Sequence, residues 1–502
     1  MISMILNGTD KCVPYCYFAR KGDIKLTENN FLHLKGSKSI INRLLCLGLY
    51  HQIELNLQNM NFCDDVNNML EICKQLSKQT TPPPFLMDNG QLIMDNYPLS
   101  IINYQLNKGG DKINLSLKIH EAGTVLRFIL PYLAFSDYDD IKIETGERLS
   151  QRPLQTFIDC LNRAGANITQ KDNFIYIKRH SHISDTFYLE TTDSSQYLSS
   201  LMMFASTRKD MKIIILGTQA SCLHIFDSFD DAGKMPAFPV SDFQTQINGY
   251  LKMTSDVLKL INFDTIINQN EIQIINTDDT PKRLDFILDP DYSTACYFWF
   301  YSFLMKRPIF IKKIGSVYHP DYNFINILKK FPIPYQRYTY FCILHSHFCI
   351  LPPIPLIDLS EMPDQIITLA FFALVSGIHI QITGCGTLKN KESDRIKGIL
   401  ENIALLGGKA TYENEILTIY PLSQEPQKCL LKTYNDHRFA MTFLVLKQKY
   451  PYLDIDNTDC VKKSYPDFTG NTDITGNTDI LSAKIPNSEL RTPNSKPCFS
   501  IQ

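Results

Sequence analysis

Residues 161–178 read LNRAGANITQKDNFIYIK: the apolar end of a helix, a glycine, then two short alternating runs on either side of Lys171, Asp172 and Asn173. Glycine ends a helix because it adopts the left-handed conformation without a Cβ clash, and polar residues between alternating runs read as a hairpin turn. The pattern returns at 258–276 (LKLINFDTIINQNEIQIIN), 327–344 (ILKKFPIPYQRYTYFCIL) and 403–420 (IALLGGKATYENEILTIY). There the breakers are Asn262, the Phe331-Pro332 pair and Gly407, and Glu413, Asn414 and Glu415 make the last turn. Copies of one helix-plus-hairpin unit predict an α/β (α+β) chain. The repeat by itself names no function.

Bulk properties narrow the classes. A chain of 502 residues is long enough to bury two substantial cores, so two large domains are expected. Lys plus Arg number 50 against 52 Asp plus Glu, a formal charge of -2, which gives no footprint for nucleic acid or a membrane surface. The 14 cysteines form no spaced framework, and residues 1–21 lack a basic stretch followed by an unbroken apolar run; a cytoplasmic protein is expected. The most apolar stretch, 366–382, is interrupted by Ser376, Gly377 and His379 and is short for a bilayer span, so it reads as a buried helix and a strand. Residues 217–246 show no period and read as a surface insertion. After Phe468 the hexapeptide TGNTDI occurs twice and a polar tail, 469–502, is expected to be disordered.

Several helix starts are rich in small and polar residues. GSKSIINR, Gly36 to Arg43, offers a close-approach glycine, two hydroxyls and the unpaired N–H groups of a helix beginning, with Lys38 and Arg43 as cations. An ordinary N-cap with solvated cations is the bland alternative. HEAGTVLRF (120–128) opens a helix near Val125 that Pro131 is expected to kink or end. TGERLSQRP (145–153) places Arg148 and Arg152 before a helix at 154–164, and paired arginines suit a phosphate or carboxylate as well as a solvated loop. Ser194, Ser195 and Gln196 read as a neutral cradle opening the helix 197–204, and Tyr250 leads into a helix at 254–261. Cys342, His345, His347 and Cys349 cannot all face one way from a strand, so structural roles are preferred to a metal site, and no metal is expected.

The densest polar grouping is downstream. Asp364 heads the apolar helix 366–375, where the helix dipole stabilises its charge. TLKNKESDR (387–395) packs Lys389, Lys391, Glu392, Asp394 and Arg395 ahead of the helix 396–406. YNDHR (434–438) opens the helix 439–446, and Lys462, Lys463, Ser464, Tyr465 and Pro466 close the folded region.

In this order GSKSIINR, AGTVLR, GERLSQRP, SSQ, the Tyr250 segment, MPD, KESDR, NDHR and KKSYPDF resemble the motifs of the 3-phosphoshikimate 1-carboxyvinyltransferases, or EPSP synthases, over residues 30–468. The resemblance implies the two-domain enolpyruvyl transferase fold, each domain three β/α units around buried parallel helices. One domain would be discontinuous, 1–35 plus 287–468, and 36–286 would form the other, with the insertion near 217–246. It implies transfer of the enolpyruvyl group of phosphoenolpyruvate to the 5-hydroxyl of shikimate 3-phosphate, a step of chorismate and aromatic amino acid biosynthesis, by a monomer with small-molecule substrates and no cofactor. Residue by residue, Ser39, Arg43, Ser194, Ser195, Gln196, Tyr250 and Lys391, with Lys38 and Asp364, resemble the shikimate 3-phosphate contacts. Lys38, Gly123, Arg148, Gln196, Arg395, Arg438 and Lys463 resemble the phosphoenolpyruvate cage. Lys38, Asp364 and Glu392 resemble the catalytic groups: Asp364 takes the hydroxyl proton, Glu392 protonates the methylene carbon, and Lys38 assists. Gly123 implies that the cage admits glyphosate.

Some positions depart from the family pattern. Glu121 and Thr387 stand where Asn is common, Ile247 falls where a phosphate-binding Ser is expected, and the loop before Arg148 is one residue short. These departures leave open a catalytically impaired ligand-binding relative, against which the retention of Lys38, Asp364 and Glu392 counts. The sister UDP-N-acetylglucosamine enolpyruvyl transferases use a loop cysteine, and residues 147–152 contain none. A nucleotide-binding P-loop is disfavoured because Gly36 to Ser39 lacks the upstream glycine.

Overall fold

The computed structural model describes residues 31–77, 86–88, 91–92, 114–180, 182–190, 194–216, 249–268, 270–305, 310–311, 317–328, 335–338, 341–344 and 356–468. The 217–246 insertion, Ile247, His345, His347, Cys349 and the 469–502 tail lie outside the described residues.

The repeat unit read from the sequence is the building block. Strand Asn114–Ile119 pairs in parallel with Asp140–Thr145, which pairs antiparallel with Phe174–Lys178, itself the partner of Asn167–Lys171 in a hairpin. The same order recurs in Thr186–Glu190, Lys212–Leu216, Glu271–Asn276 and Phe263–Asn268, and again in Leu356–Asp358, Ile380–Thr383, Ile416–Tyr420 and Lys409–Glu413. At 327–344 the described parts are the end of helix Phe324–Leu328 and the hairpin, Tyr335–Tyr338 against Phe341–Leu344. The breakers act as their chemistry requires: Gly165 (φ +106°), Asn262 (φ 69°) and Gly407 (φ +81°) take the left-handed backbone that stops each helix. Asp172, Asn414 and Glu415 take it in the turns.

Two buried apolar clusters result. One draws on residues from Ile40 to Leu288 together with Val317, the other on Leu34 and residues from Tyr292 to Phe468. At the centre of the first, helices Lys38–His51, Gly123–Ala134, Ser195–Ala205 and Gly249–Lys259 pack on one another; at the centre of the second, Tyr292–Met305, Ile366–Ser376 and His437–Lys449 do so. Helices this central must be apolar all round, which is why 366–376 (IITLAFFALVS) shows no polar face. Truncating one such side chain, for instance Phe371→Ala, is expected to cost about 3–5 kcal/mol. Between the clusters, strands of chain at 35–37 and 289–291 run side by side, tied by Ser37 N–H to Asp289 C=O (3.0 Å) and Asp291 N–H to Lys35 C=O (2.9 Å).

One helix start needs correction, and of the two outcomes expected at Pro131 the helix does not end there. Helix Gly123–Ala134 continues one turn past Pro131. The ring deprives the Arg127 carbonyl of its helical donor, and the Ser200 hydroxyl supplies a substitute at 2.6 Å. The helix expected at 254–261 begins at Gly249. That glycine serves a close approach: a Cβ there would lie 2.4 Å from the Cβ of Pro320. Among the described residues no helix is long and apolar enough to cross a membrane.

Candidate active site

The central helices other than Tyr292–Met305 begin at a common polar cavity of about 80 Å³, so that aligned peptide dipoles and unpaired N–H groups add positive potential there. Seven cations line it: Lys38, Arg43 and Arg152 from the first part of the chain, Lys391, Arg395, Arg438 and Lys463 from the second. The lining carboxylates are Asp65, Asp364 and Glu392, so four positive charges remain without a lining counter-ion. A larger cleft of about 740 Å³ shares Asp65, Arg152, Glu392 and Lys463 with this cavity.

Lys38 opens helix Lys38–His51, and its Nζ donates to Asp65 Oδ2 (3.0 Å) and to the Ser464 hydroxyl. Burial opposes the ammonium charge, but Asp65, with Cys63 and Glu392, outweighs it and raises the Lys38 pKa above its ordinary value. Arg43, one turn on, is 2% exposed; its guanidinium bonds to Thr254 Oγ1 (2.8 Å), Ser199 Oγ (3.2 Å) and the Ser39 carbonyl (2.7 Å), and sits 5.1 Å from the Phe128 ring centroid. Burial lowers its pKa to about 10, which leaves it charged at neutral pH. Ser39 lines the cavity beside it.

The Ser194-Ser195-Gln196 segment is less neutral than the sequence implies. Ser194 is the N-cap of helix Ser195–Ala205 and accepts from Gln196 N–H (3.3 Å). The Gln196 side chain spans two partners, accepting from Arg127 (2.7 Å) and donating to Thr124 Oγ1 (3.0 Å). A buried guanidinium therefore stands directly behind the amide.

Asp364 sits in the 3-10 turn Pro363–Gln365 ahead of helix Ile366–Ser376. Three cations converge on it: Arg395 at 2.7 Å, Arg438 at 3.1 Å and Lys391 at 3.5 Å. Burial alone would raise the carboxyl pKa, yet Arg438, Lys391 and Arg395 together hold it well below the usual range. Arg395 also pairs with the buried Asp436 (2.9 Å), the N-cap of helix His437–Lys449. Burial lowers the Lys391 pKa, an effect Asp364 offsets only in part.

Glu392 forms the second centre, 2.8 Å from His437 Nδ1 and 3.1 Å from Lys463 Nζ. Burial pushes its pKa up, but His437 and Lys463 pull it well below the ordinary glutamate value. His437 itself is lowered, chiefly by burial. Glu392, Asp436 and His437 bring potential ligand atoms within 4.8 Å of one another, but Lys463 and Arg395 already occupy the two carboxylates, an arrangement that disfavours a cation.

Most of the residues expected from the sequence thus meet in one place, including Tyr250 and Ser195. Arg148 does not join them: it is exposed, lines the larger cleft, and donates to the Tyr434 carbonyl at 3.0 Å. Arg152, four positions on, lines the cavity instead, and a Cβ on Gly123 would meet its guanidinium at 2.6 Å. Glu121, one of the departures, accepts from the Arg148 N–H (3.3 Å), and its carbonyl accepts from Lys463 (3.1 Å). Sequence reasoning assigned no site role to Asp65, Thr124, Arg127 and His437, although Thr124 and Arg127 lie in the helix start singled out at 120–128. His437 and Arg152 lie inside motifs already singled out, whereas nothing in the run around Asp65 marks it as the partner of Lys38.

The sequence matches the family model described as EPSP synthase (3-phosphoshikimate 1-carboxyvinyltransferase) over residues 29–237 and 234–471. It is 28% identical over 441 residues to a 3-phosphoshikimate 1-carboxyvinyltransferase 2 of Halalkalibacterium halodurans, covering 87% of this chain and 89% of that one. It is 26% identical over 449 residues to a 3-phosphoshikimate 1-carboxyvinyltransferase of Buchnera aphidicola subsp. Cinara cedri, covering 88% and 93%. Among solved structures, an EPSP synthase from Acinetobacter baumannii shares the fold with a TM-score of 0.58 at 16% identity, over 88% of this chain and 94% of that chain.

Proposed function

Because the chain belongs to the EPSP synthase (3-phosphoshikimate 1-carboxyvinyltransferase) family, we propose that it transfers the enolpyruvyl group of phosphoenolpyruvate to the 5-hydroxyl of shikimate 3-phosphate and releases phosphate. The observation that carries this reading is the excess of cations in the cavity lining, seven against three carboxylates with Asp436 behind Arg395, around two separately tuned carboxylates. Two substrates that each bear a phosphate and a carboxylate need such an excess, and it would repel a cationic ligand.

In this reading Asp364 removes the 5-hydroxyl proton as that oxygen attacks the substituted vinyl carbon. Glu392, ionised in the unliganded site, takes up a proton from solvent as phosphoenolpyruvate engages Lys463 and adds negative charge beside it, and delivers that proton to the methylene carbon, giving a tetrahedral intermediate. Elimination reverses the proton flow. Glu392 recovers a proton from the new methyl group as the bond to phosphate breaks, and the departing phosphate takes the proton held by Asp364. Lys38, kept cationic by Asp65, stabilises charge on the phosphoryl oxygens. Ser39, Arg43, Ser194, Ser195, Gln196, Tyr250 and Lys391 hold shikimate 3-phosphate; Gly123, Gln196, Arg395, Arg438 and Lys463 hold phosphoenolpyruvate, and Arg148, in the adjoining cleft, joins them on closure.

The ion pairs of the unliganded site explain how a poor base becomes a competent one. With Arg395, Arg438 and Lys391 directed at Asp364, the carboxylate is too acidic to take a hydroxyl proton. Substrate anions that engage those cations release Asp364, and its pKa rises toward the working range. A cavity of about 80 Å³ is smaller than the roughly 300–1,000 Å³ of ordinary ligand sites, so binding also rearranges these side chains or draws on the adjoining cleft. We place the domain boundaries at 1–35 plus 287–468 and 36–286; the two apolar clusters and the paired crossings at 35–37 and 289–291 support this division, with Leu288 and Val317 packing across it into the first cluster. Closure of the domains on shikimate 3-phosphate then completes a dry site. We assign the protein to the cytoplasm as a monomer; the free thiols of the described cysteines suit a reducing compartment.

Phosphate release from phosphoenolpyruvate, measured with and without shikimate 3-phosphate, tests the assignment. Release is expected only with both substrates; release independent of the second, or none at all, overturns it.

A further inference from the structure

The 3-10 turn Pro320–Asn323 has no part in the transfer just described, yet three site-bearing segments meet on it. Asp321 is fully buried. Its Oδ1 accepts from the Tyr250 hydroxyl at 3.4 Å, and its Oδ2 accepts from Gln365 Nε2 at 2.8 Å and from the Ser293 hydroxyl. Gln365 follows Asp364 in its turn, and Tyr250 opens helix Gly249–Lys259. His319, the N-cap of the same turn, accepts the Asp321 N–H through Nδ1 (3.3 Å), which assigns the imidazole proton to Nε2, 3.1 Å from the hydroxyl of Ser37, the residue before Lys38. None of the three side chains that donate to Asp321 is a cation. The Arg438 guanidinium acts on Asp321 only at longer range, and a buried carboxylate whose direct side-chain donors are all neutral is costly to keep.

We propose that Asp321 is a positioning residue for the transfer: it fixes the Tyr250 hydroxyl and the turn carrying Asp364 relative to each other, so that the shikimate 3-phosphate contact and the proton acceptor are aligned as one unit. The proposal rests on the transfer reading and on Tyr250 as a contact for that substrate. Burial, reinforced by Asp321, keeps the Tyr250 phenol protonated, so it donates to Asp321 and turns its lone pairs toward a substrate hydroxyl. Neutralising Asp321 removes the acceptor that sets this direction.

The test is a double-mutant cycle in the full chain, read by steady-state phosphate release. Asp321→Asn is expected to raise KM for shikimate 3-phosphate roughly tenfold and to lower kcat, with KM for phosphoenolpyruvate within about twofold of the parent. Tyr250→Phe is expected to raise the same KM, and the double variant to be no worse than Asp321→Asn alone. A purely structural role predicts a lower active fraction, with both KM values unmoved and the two effects multiplying; either result overturns the proposal. If Asp321→Asn is insoluble, Gln365→Met replaces it in the cycle, since it removes a donor to Asp321 at similar side-chain length. A parent chain without turnover sinks the transfer reading, whereas an active parent with an unmoved KM in the variants sinks only the role of Asp321.

Discussion

Asp364 and Arg438 are 74 positions apart in the chain, yet Arg438 donates to the Asp364 carboxylate at 3.1 Å. The candidate base is thus the counter-ion of the candidate anion site, and its two duties are in tension until substrate arrives.

Neutralising that counter-ion should act on turnover and on acid stability together. A carboxyl whose pKa is depressed by folding contributes stability that is present above the unfolded pKa and lost as pH falls through the folded one. Asp364 is such a group. The parent's melting temperature is therefore expected to fall as pH drops below about 4, and Asp364→Asn to flatten that fall while lowering kcat by about 10²–10⁴. Calorimetry across pH 3 to 6 and a phosphate-release assay read the two effects; an equally steep acid fall in the variant would show that Asp364 is not held as described.

Lys38→Met should abolish turnover and keep the fold, but at a cost. It leaves Asp65, whose side chain is 7% exposed, without its ammonium, a loss of about 3 kcal/mol. Adding Asp65→Asn is expected to restore the melting temperature and leave activity absent. Circular dichroism melts of the single and double variants separate charge stranding from loss of chemistry, and near-normal activity in Lys38→Met would overturn its central role.

Gly123 faces Arg152, and a methyl there displaces a guanidinium that lines the cavity. Gly123→Ala is expected to raise KM for phosphoenolpyruvate and to weaken inhibition by glyphosate more strongly, since the more extended ligand has less room. Undiminished parent turnover at high glyphosate would contradict the premise.

Shikimate 3-phosphate alone should compact the molecule. Small-angle scattering is expected to show a smaller radius of gyration on its addition, and no change on adding phosphoenolpyruvate alone. Equal curves in all three conditions would count against closure.

The helix-plus-hairpin repeats, their turns at Asp172 and Asn414, and the helix-stopping Gly165, Asn262 and Gly407 were legible in the sequence because each is local chemistry. So were the segments that build the site, since GSKS, KESDR and NDHR carry charge and small residues where a helix begins. The sequence places the start of helix Gly249–Lys259 at 254, because the close approach of Pro320 that Gly249 accommodates is not visible in the local pattern. Whether the helix would end at Pro131 was not decided locally, because the substitute donor, Ser200, is remote in sequence.

What the sequence determined by itself was the repeating unit, the family, and the roster of cations and carboxylates, all properties of short windows. Only the tertiary structure decided which charges answer which: that Asp65 holds Lys38, that Arg152 rather than Arg148 lines the cavity, that three cations meet on Asp364, and that Asp321 ties Tyr250 to the turn beside it. Such pairings join residues far apart along the chain through distances of about 3 Å. Electrostatic energy at that range depends on ångström-scale placement, which no local pattern encodes.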